Sequence, residues 1–263
     1  MKRVFITGAS SGIGAALARR YAEQGAVLGL VARRKQALEQ LAAGLPNSGQ
    51  HRIYALDVTD HAALAAAAAD FVAAMGGVDV VIANAGISRG TLTEYTQDLR
   101  VFERIIATNV VATVATFAPF IATLRAQAQS GNRNCRLVGI GSVAGIRGLP
   151  GAGAYSASKA AVISYCESLR VELKNSGVKV VTIMPGYIDT PMTQSNSYPM
   201  PFLMPAGKFA VRAVAAIDAG ISDAVIPWQM GLVARLLRLL PNWLYDLAFS
   251  KAPHKARNAP EQR

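Results

Sequence analysis

Short runs of apolar residues alternate with helical patterns along most of this chain of 263 residues. Apolar runs without polar alternation are typical of strands buried on both faces, as in parallel sheets covered by helices. The pattern therefore predicts the α/β class, with a doubly wound parallel sheet of about seven strands and helices on both faces. The predicted strands are residues 4–6, 27–32, 52–56, 79–83, 136–140, 179–184 and 224–226. The predicted helices are residues 15–24, 36–43, 61–75, 99–129, 152–175 and 208–219.

The alternation runs to residue 227 without a linker or an internal repeat, which predicts one domain over residues 1–227. Within it, residues 190–206 are rich in Pro, Ser, Asn and Met and are expected to form an irregular lid. Residues 228–263 form an apolar and basic extension of the same domain, in which Pro241 should separate two helices and the tail after them should be disordered. The extension is expected either to pack over the lid or a partner subunit, or to lie in a membrane interface.

The chain carries a formal net charge of +11, from 27 Lys and Arg against 16 Asp and Glu. This charge favours an anionic partner such as a phosphorylated cofactor or an acidic lipid surface, and no motif indicates nucleic acid or a metal. Cys135 and Cys166 are expected to be buried, reduced thiols of a cytoplasmic protein, since the amino terminus has no signal-peptide pattern. The uncharged stretch 105–124 contains Asn109 and Pro119 and is expected to be a buried helix rather than a membrane span.

A glycine-rich turn separates the first predicted strand from the first predicted helix. Glycines at this point let the backbone turn tightly and approach a pyrophosphate, while the helix N-terminus supplies free N–H groups and the positive end of its dipole. The glycine spacing is G-x-x-x-G-x-G rather than the G-x-G-x-x-G of the dinucleotide fingerprint. The strand–turn–helix context nevertheless predicts a dinucleotide cofactor. The residues expected to bind it are Gly8, Ser10, Ser11, Gly12, Ile13 and Gly14.

The end of the second predicted strand should distinguish NAD from NADP. A carboxylate there would accept bonds from the adenosine ribose, whereas an arginine suits a 2′-phosphate. The chain has Arg33 and Arg34 at this point and no carboxylate, so NADP(H) is favoured, with Arg33 as its ligand. After the third strand, Asp57 is expected either to hold the adenine amino group or to cap the following helix, and Val58 is expected beside the cofactor.

Tyr155 and Lys159 are four positions apart in a predicted helix, so their side chains share one face. A nearby ammonium favours the phenolate and could bring a tyrosine acid/base toward neutral pH. By itself this pair is weak evidence, since the same spacing occurs on many solvated helices.

The motifs of the chain form an ordered set: Thr7-Gly8-x-x-x-Gly12-Ile13-Gly14, Asn84-Ala85-Gly86, Asn109, Ser142, Tyr155-x-x-x-Lys159 and Pro185-Gly186. Taken together, they resemble the single-domain short-chain dehydrogenase/reductase family, which has a Rossmann-type fold. The resemblance covers roughly residues 3–226, and one position departs mildly from it, since Ala83 stands where many relatives have a second asparagine.

The resemblance implies a role for each matching residue. Tyr155 would be the general acid/base, with Lys159 lowering its pKa and holding the nicotinamide ribose. Ser142 would hydrogen-bond the substrate oxygen, and Asn109 would hold a water that links Lys159 to solvent. The residues lining the cofactor groove would be Asn84, Ala85, Gly86, Tyr155, Lys159, Pro185, Gly186, Ile188 and Thr190. Relatives usually pair through the helices equivalent to 99–129 and 152–175, so a homodimer or homotetramer is expected.

Substrate recognition is expected in the segments with the least pattern, residues 143–153 and the lid. Their apolar composition favours a hydrophobic ketone, aldehyde or alcohol, and hence a carbonyl reductase. Arg147 either meets an anionic group or is a solvated arginine at the rim. The predicted substrate contacts are Ser142, Ile146, Leu149, Tyr187 and Met192. A non-catalytic NADP(H)-binding sensor or interaction module is the alternative function.

Overall fold

Seven parallel strands form the central sheet of the protein, in the order β3-β2-β1-β4-β5-β6-β9. The computed structural model describes residues 1–194, 196, 198–250, 255 and 257. The strands of the sheet are β1 (Arg3–Thr7), β2 (Val27–Ala32), β3 (Arg52–Ala55), β4 (Val80–Ala83), β5 (Arg136–Ile140), β6 (Lys179–Pro185) and β9 (Asp223–Ile226). The predicted doubly wound sheet is confirmed.

Helices cover both faces of this sheet. On β1, Val4 and Ile6 belong to one apolar core and Phe5 belongs to the other, as the alternation of side chains along a strand requires. The helices α1 (Gly12–Glu23), α2 (Lys35–Ala43) and α9 (Ala206–Ala219) pack on the first face. The helices on the second face are α3 (His61–Met75), the long helix Asp98–Gln129 and α7 (Gly153–Glu172).

The long helix is interrupted by a π-turn, Ala107–Val111, and a 3₁₀ turn, Ala118–Phe120. Its α-helical parts are α4 (Asp98–Ile106), α5 (Ala112–Phe117) and α6 (Ile121–Gln129). By length and composition it could cross a membrane, but a core helix of a soluble protein passes the same test. Phe117 and Leu124 are fully buried in the second core, so one face of this helix packs against the sheet, while Val111 and Val114 are exposed on another face.

The lid is less irregular than expected. A pair of two-residue strands, β7 (Ile188–Asp189) and β8 (Met204–Pro205), closes its base, and a short helix α8 (Pro191–Gln194) follows β7. Two helices follow β9, α10 (Trp228–Leu239) and α11 (Asn242–Phe249), and Pro241 separates them as predicted. Cys135 and Cys166 are buried free thiols, also as predicted.

Candidate active site

The glycine turn after β1 is joined to the segment after β4 by hydrogen bonds. The Asn84 side chain donates from Nδ2 to the carbonyls of Thr7 (2.9 Å) and Gly8 (3.2 Å). In the other direction, the Thr7 hydroxyl accepts from the backbone N–H groups of Asn84 (3.1 Å) and Ala85 (3.2 Å). Two predicted cofactor-binding motifs therefore lie side by side at the carboxyl ends of neighbouring strands, where parallel sheets bind ligands.

Glycine is required in this turn by close backbone approach. Gly8 has φ +68°, and a Cβ there would lie 2.8 Å from the Cα of Ala85. A Cβ on Gly14 would overlap the Gly8 carbonyl. The first turn of α1 has no acidic residue, and its N-cap residue Ser11 makes no side-chain capping bond. An uncapped helix N-terminus behind a glycine turn fits the pyrophosphate of a dinucleotide.

The two arginines after β2 lie at the other end of the predicted cofactor groove. Arg33 is exposed and lies 3.8 Å from Asp57 in an ion pair, while Arg34 donates to the Ser10 hydroxyl at 3.3 Å. Arg34 was not among the predicted site residues, although its position next to Arg33 could have suggested it. The capping alternative for Asp57 is wrong, because Asp60 accepts the capping bond of α3 while Asp57 accepts from Thr59. Val58 is buried beneath this end.

Asn109 lies in the π-turn of the long helix and is fully buried. Its Oδ1 accepts from the Ile87 N–H at 2.8 Å, and its Nδ2 donates to the Ile87 carbonyl at 3.0 Å and to the Ser158 hydroxyl at 2.9 Å. The Asn109 side chain thus fixes the segment after β4 against α7. Its implied role in holding a water stays a prediction.

Ser142, Tyr155 and Lys159 meet beside this segment. The Ser142 hydroxyl interacts with the Tyr155 phenol, and the Lys159 ammonium lies 5.8 Å from the centroid of the Tyr155 ring. Lys159 is buried and donates to the Ile140 carbonyl at 2.8 Å. A Cβ on Gly86 would lie 3.6 Å from the Lys159 Nζ, so the backbone after β4 passes close to this ammonium. The four predicted catalytic residues are brought to one place.

Burial governs the protonation of this cluster. It lowers the pKa of Lys159 to about 8, with the Cys166 thiol acting weakly in the opposite direction. Tyr155 keeps a partly exposed side chain, but the surrounding protein raises its pKa above the ordinary value, opposed by the interaction with Ser142. The structure therefore differs from the expectation that Lys159 lowers the tyrosine pKa, because desolvation by burial raises the pKa of Tyr155 more than the Ser142 bond lowers it.

The segment after β6 forms the opposite wall of the cleft. Thr190 lies against the glycine turn, since a Cβ on Gly12 would be 3.3 Å from it. Ile188 is buried in β7, which extends the wall from Pro185. A Cβ on Gly186 would lie 2.7 Å from the side chain of Met230, so this wall also contacts α10. The second set of predicted cofactor residues thus faces the first.

Aromatic side chains line the predicted substrate side. Tyr187 and Tyr198 pack edge to face with ring centroids 6.4 Å apart. Burial raises the pKa of Tyr198, and Tyr187 and Tyr155 add to that rise, which indicates that Tyr198 lies near Tyr155. Ile146 and Leu149 are half-buried in the loop before α7, and Met192 is exposed in α8.

Both expectations for Arg147 are wrong. Its guanidinium donates to the carbonyls of Leu237 and Leu240 (2.7 Å to the latter) at the C-terminal end of α10, and to Asn242 Oδ1 at 3.1 Å. It also stacks on the Tyr245 ring, 3.9 Å from the centroid. Cations at a helix C-terminus satisfy its free carbonyls and its dipole. Arg147 therefore attaches the extension to the substrate loop.

The extension packs on the loop before α7, whereas the first alternative expected it over the lid or a partner subunit. Tyr245 donates to the Gly148 carbonyl, and Arg238 donates to the Ile146 carbonyl at 3.2 Å. The outward face of α10 and α11 nevertheless exposes large apolar side chains, and its contact with a membrane stays a prediction. Exposed on this face are Trp228, Leu232, Leu236, Leu239, Trp243 and Leu247.

The expected disorder of the tail is contradicted at two positions. Lys255 donates to the Ser88 hydroxyl at 2.9 Å, and Arg257 pairs with Asp98 at 2.8 Å. The expectation for residues 251–254, 256 and 258–263 lies outside the described residues. Among the residues that are described, no group of three or more His, Cys, Asp or Glu could hold a metal ion.

Sequence reasoning missed Ser158 and Thr91. Ser158 is fully buried, accepts from Asn109 and donates to the Tyr155 carbonyl at 2.7 Å. The Thr91 hydroxyl accepts a hydrogen bond from the Ala154 N–H at 3.3 Å, and the Thr91 N–H donates to the Gly151 carbonyl at 3.0 Å. Both hold α7 in place, and only Ser158, inside the Tyr-x-x-x-Lys stretch, had a signal in the sequence.

Comparison with known proteins gives a consistent result. A family described as short chain dehydrogenase matches residues 2–200. An uncharacterised oxidoreductase of Myxococcus xanthus (strain DK1622) is 36% identical over 252 residues, which are 94% of this chain and 96% of that protein.

Solved structures agree with the sequence comparison. A 3-ketoacyl-(acyl-carrier-protein) reductase from Brucella melitensis, complexed with NADH, has a TM-score of 0.77 at 27% identity. The matched region is 85% of this chain and 94% of that protein. An alcohol dehydrogenase from the archaeon Thermococcus sibiricus, complexed with 5-hydroxy-NADP, has a TM-score of 0.74 at 27% identity. The matched region is 86% of this chain and 96% of that protein.

Proposed function

The chain belongs to the short-chain dehydrogenase/reductase family, and we propose that it is an NADP(H)-dependent oxidoreductase acting on a hydrophobic ketone, aldehyde or secondary alcohol. The observation that carries this proposal is the meeting of Ser142, Tyr155 and a buried Lys159 beside the uncapped end of α1. Family membership supports an oxidoreductase acting on CH–OH or C=O groups, and structural neighbours bind NADH or an NADP analogue. The choice of NADP and of a hydrophobic substrate is our own inference.

When bound, the nicotinamide supplies or accepts the hydride. The protein residues handle the proton and the charge on oxygen. Ser142 and Tyr155 donate hydrogen bonds to the substrate oxygen, which becomes more negative as a carbonyl is reduced. Tyr155 then transfers its proton to that oxygen, and the Lys159 ammonium stabilises the tyrosinate left behind. In alcohol oxidation the same proton moves in the opposite direction.

Residues on both walls of the cleft lie where they could bind the cofactor. The free N–H groups of α1 and the glycine turn would hold the pyrophosphate, and Asn84 to Gly86 would line one side. Ile188 and Thr190 would line the other side, and Lys159 would hold the ribose. Arg33 and Arg34, which lie at the adenosine end, would bind a 2′-phosphate.

We expect Arg33→Ala to raise the KM for NADPH about tenfold while leaving that for NADH nearly unchanged, because a charge-assisted bond to phosphate is lost. Initial rates with both cofactors measure this effect. Lys35→Ala is the matched control, since Lys35 is the first basic residue after the two arginines and pairs with Glu39 at 3.7 Å. Equal changes of both KM values would show that Arg33 does not read the phosphate.

We also expect kcat/KM for carbonyl reduction to fall above about pH 8. Lys159 is charged below its pKa of about 8, and its ammonium stabilises the tyrosinate only in that form. Tyr155, whose pKa is raised, keeps its proton throughout this range. The rate should therefore drop roughly tenfold per pH unit on the alkaline side, because kcat/KM reports the groups of the free enzyme. A flat profile from pH 7 to 9.5, in protein that stays folded by circular dichroism, contradicts the role of Lys159.

The function itself is tested by an absorbance screen at the nicotinamide band. Hydrophobic ketones, aldehydes and secondary alcohols are offered with NADPH, NADH and the oxidised cofactors. Turnover of at least one compound, faster with the phosphorylated cofactor, is the expected result. Cofactor binding without any turnover across the panel favours the alternative, a non-catalytic sensor or interaction module.

We further propose that the protein acts as a homodimer or homotetramer in the cytoplasm. Members of this family often form oligomers and are typically soluble. The long helix and α7 expose apolar side chains that a second copy of the chain would bury, which supports pairing through them. These side chains are Leu99, Phe102, Val111, Val114 and Val171.

A further inference from the structure

Two described residues near the carboxyl terminus, Lys255 and Arg257, contact the domain next to the candidate active site. Arg257 forms two hydrogen bonds with the Asp98 carboxylate, at 2.8 and 3.2 Å, and stacks on the Tyr95 ring 3.6 Å from its centroid. Asp98 is itself held by the Leu92 N–H at 2.9 Å. A bidentate arginine–carboxylate pair with aromatic stacking is a geometrically specific attachment. Arg257 is thus attached to the segment between β4 and the long helix.

This attachment places the ammonium of Lys255 against Ser88, 2.9 Å from its hydroxyl. Ser88 lies two residues after Gly86, whose backbone passes close to Lys159, and three residues before Thr91, which bonds the residue preceding Tyr155. Two residues of chain span at most about 7 Å. Lys255 therefore lies at the edge of the cleft that holds the catalytic tyrosine and lysine.

The charge of Lys255 is not balanced by any carboxylate among the residues described. Its ammonium has three donors, and the Ser88 hydroxyl accepts one of them. Two other half-buried basic residues each have a carboxylate partner, since Arg3 pairs with Asp79 at 2.8 Å and Lys2 with Asp218 at 2.7 Å. Burial also lowers the pKa of Lys255 to about 8. Taking an ammonium out of water is unfavourable unless a partner compensates it, so the position is suited to an anion that arrives with a ligand.

We propose that Lys255 binds an anionic group of the substrate, a carboxylate or a phosphate, and that Arg257 holds Lys255 in position for this contact. The proposal rests on the proposed function and narrows its substrate class. The substrate would be an amphiphilic carbonyl compound, with an apolar part against Tyr187 and Tyr198 and an anionic group at the edge near Ser88. Lys255 would be a specificity-determining residue, and Arg257 a positioning residue.

The test compares two substrates that differ only in charge, a medium-chain 4-oxo fatty acid and its methyl ester, using the full-length protein with NADPH. We expect the wild-type protein to prefer the acid. Lys255→Met should lower the ratio of the two kcat/KM values, acid over ester, by about tenfold or more, because one charge-assisted contact is lost. Lys255→Arg should restore most of the ratio, and Arg257→Gln should lower it. Lys174→Met, at an exposed lysine beyond α7, is the matched control.

A binding measurement separates this proposal from the proposed function. Calorimetric titration with decanoate, decyl phosphate and decanol, in the presence of NADP⁺, requires no turnover. Lys255→Met should raise the dissociation constant of at least one of the two anions about tenfold and leave that of decanol unchanged. The anion that the wild-type protein binds more tightly identifies the group that the site prefers. If neither oxo compound is reduced, the proposed function fails for this class while the titration still decides the role of Lys255. Equal effects on charged and neutral ligands, or a wild-type preference for the ester, overturn the proposal.

Discussion

Tyr155→Phe is expected to lower kcat about 10³-fold, whichever carbonyl compound or alcohol proves to be the substrate. The change removes one hydroxyl and with it the group that transfers the proton, and general acid–base catalysis of this kind contributes roughly 10²- to 10⁴-fold. The ring remains, so the packing of α7 should be kept. Single-turnover measurement of nicotinamide absorbance gives the effect on the chemical step.

Cofactor binding provides the control for this variant. The dissociation constant for NADPH should change by less than about threefold, because the glycine turn and Arg33 are untouched. Tyr165→Phe is a matched variant on the same helix, with its ring stacked on Phe117 rather than in the cleft. If the Tyr155→Phe variant turns over substrate as fast as the Tyr165→Phe variant, the proposed mechanism is wrong.

Gly145→Ala should have the second largest effect, although it removes no reactive group. A Cβ at Gly145 would lie 2.6–2.9 Å from the backbone of Lys159 and Ala160, closer than such atoms can approach. The loop after β5 must therefore move away from α7, and Ser142 moves with it relative to Tyr155. Overpacking of this kind costs about 1–3 kcal/mol, and a displacement of ~1 Å at a reacting centre can lower the rate about 10²-fold. Thermal unfolding and kcat measure the two effects.

Gly148→Ala is a matched control for Gly145→Ala in the same loop. Nothing lies within 4 Å of a Cβ at Gly148, so stability and turnover should stay near those of the wild-type protein. Similar losses in the two variants would mean that the loop tolerates no side chain at all. In that case the contact between Gly145 and α7 would not explain the effect.

Much of the fold is predictable because local patterns define its elements. The helix His61–Met75 and the strand Arg136–Ile140 have their predicted bounds, since a capping aspartate, glycines and a continuous apolar run mark their ends. The π-turn in the long helix was not predictable. Its central residue Asn109 is held by Ile87 and Ser158, which are 22 and 49 positions away in the chain. Contacts of that kind leave no local signal.

The same distinction applies to the candidate site. Tyr155 and Lys159 are one helical turn apart, so their proximity follows from their spacing. Arg147 was misjudged because its partners are backbone carbonyls of Leu237 and Leu240, 90 and 93 positions later, and any residue type carries a carbonyl. The pKa values depend on burial, which the sequence alone does not give for an individual side chain. The balance between desolvation and charge at Lys159 could therefore not be read from it.

The attachment of α10 to the loop after β5 has a consequence for how this protein can diverge. The proposed proton-transfer residues lie between positions 109 and 159, whereas several proposed substrate contacts, among them Tyr187, Tyr198 and Lys255, lie beyond position 186. Arg147, Tyr245 and Arg257 join these two parts through contacts that leave the tyrosine and lysine untouched. Substitutions in the last forty residues or so can therefore change which compound is accepted, while the residues proposed for proton transfer stay the same. The carboxyl-terminal end is then the region in which related proteins should acquire new substrates first.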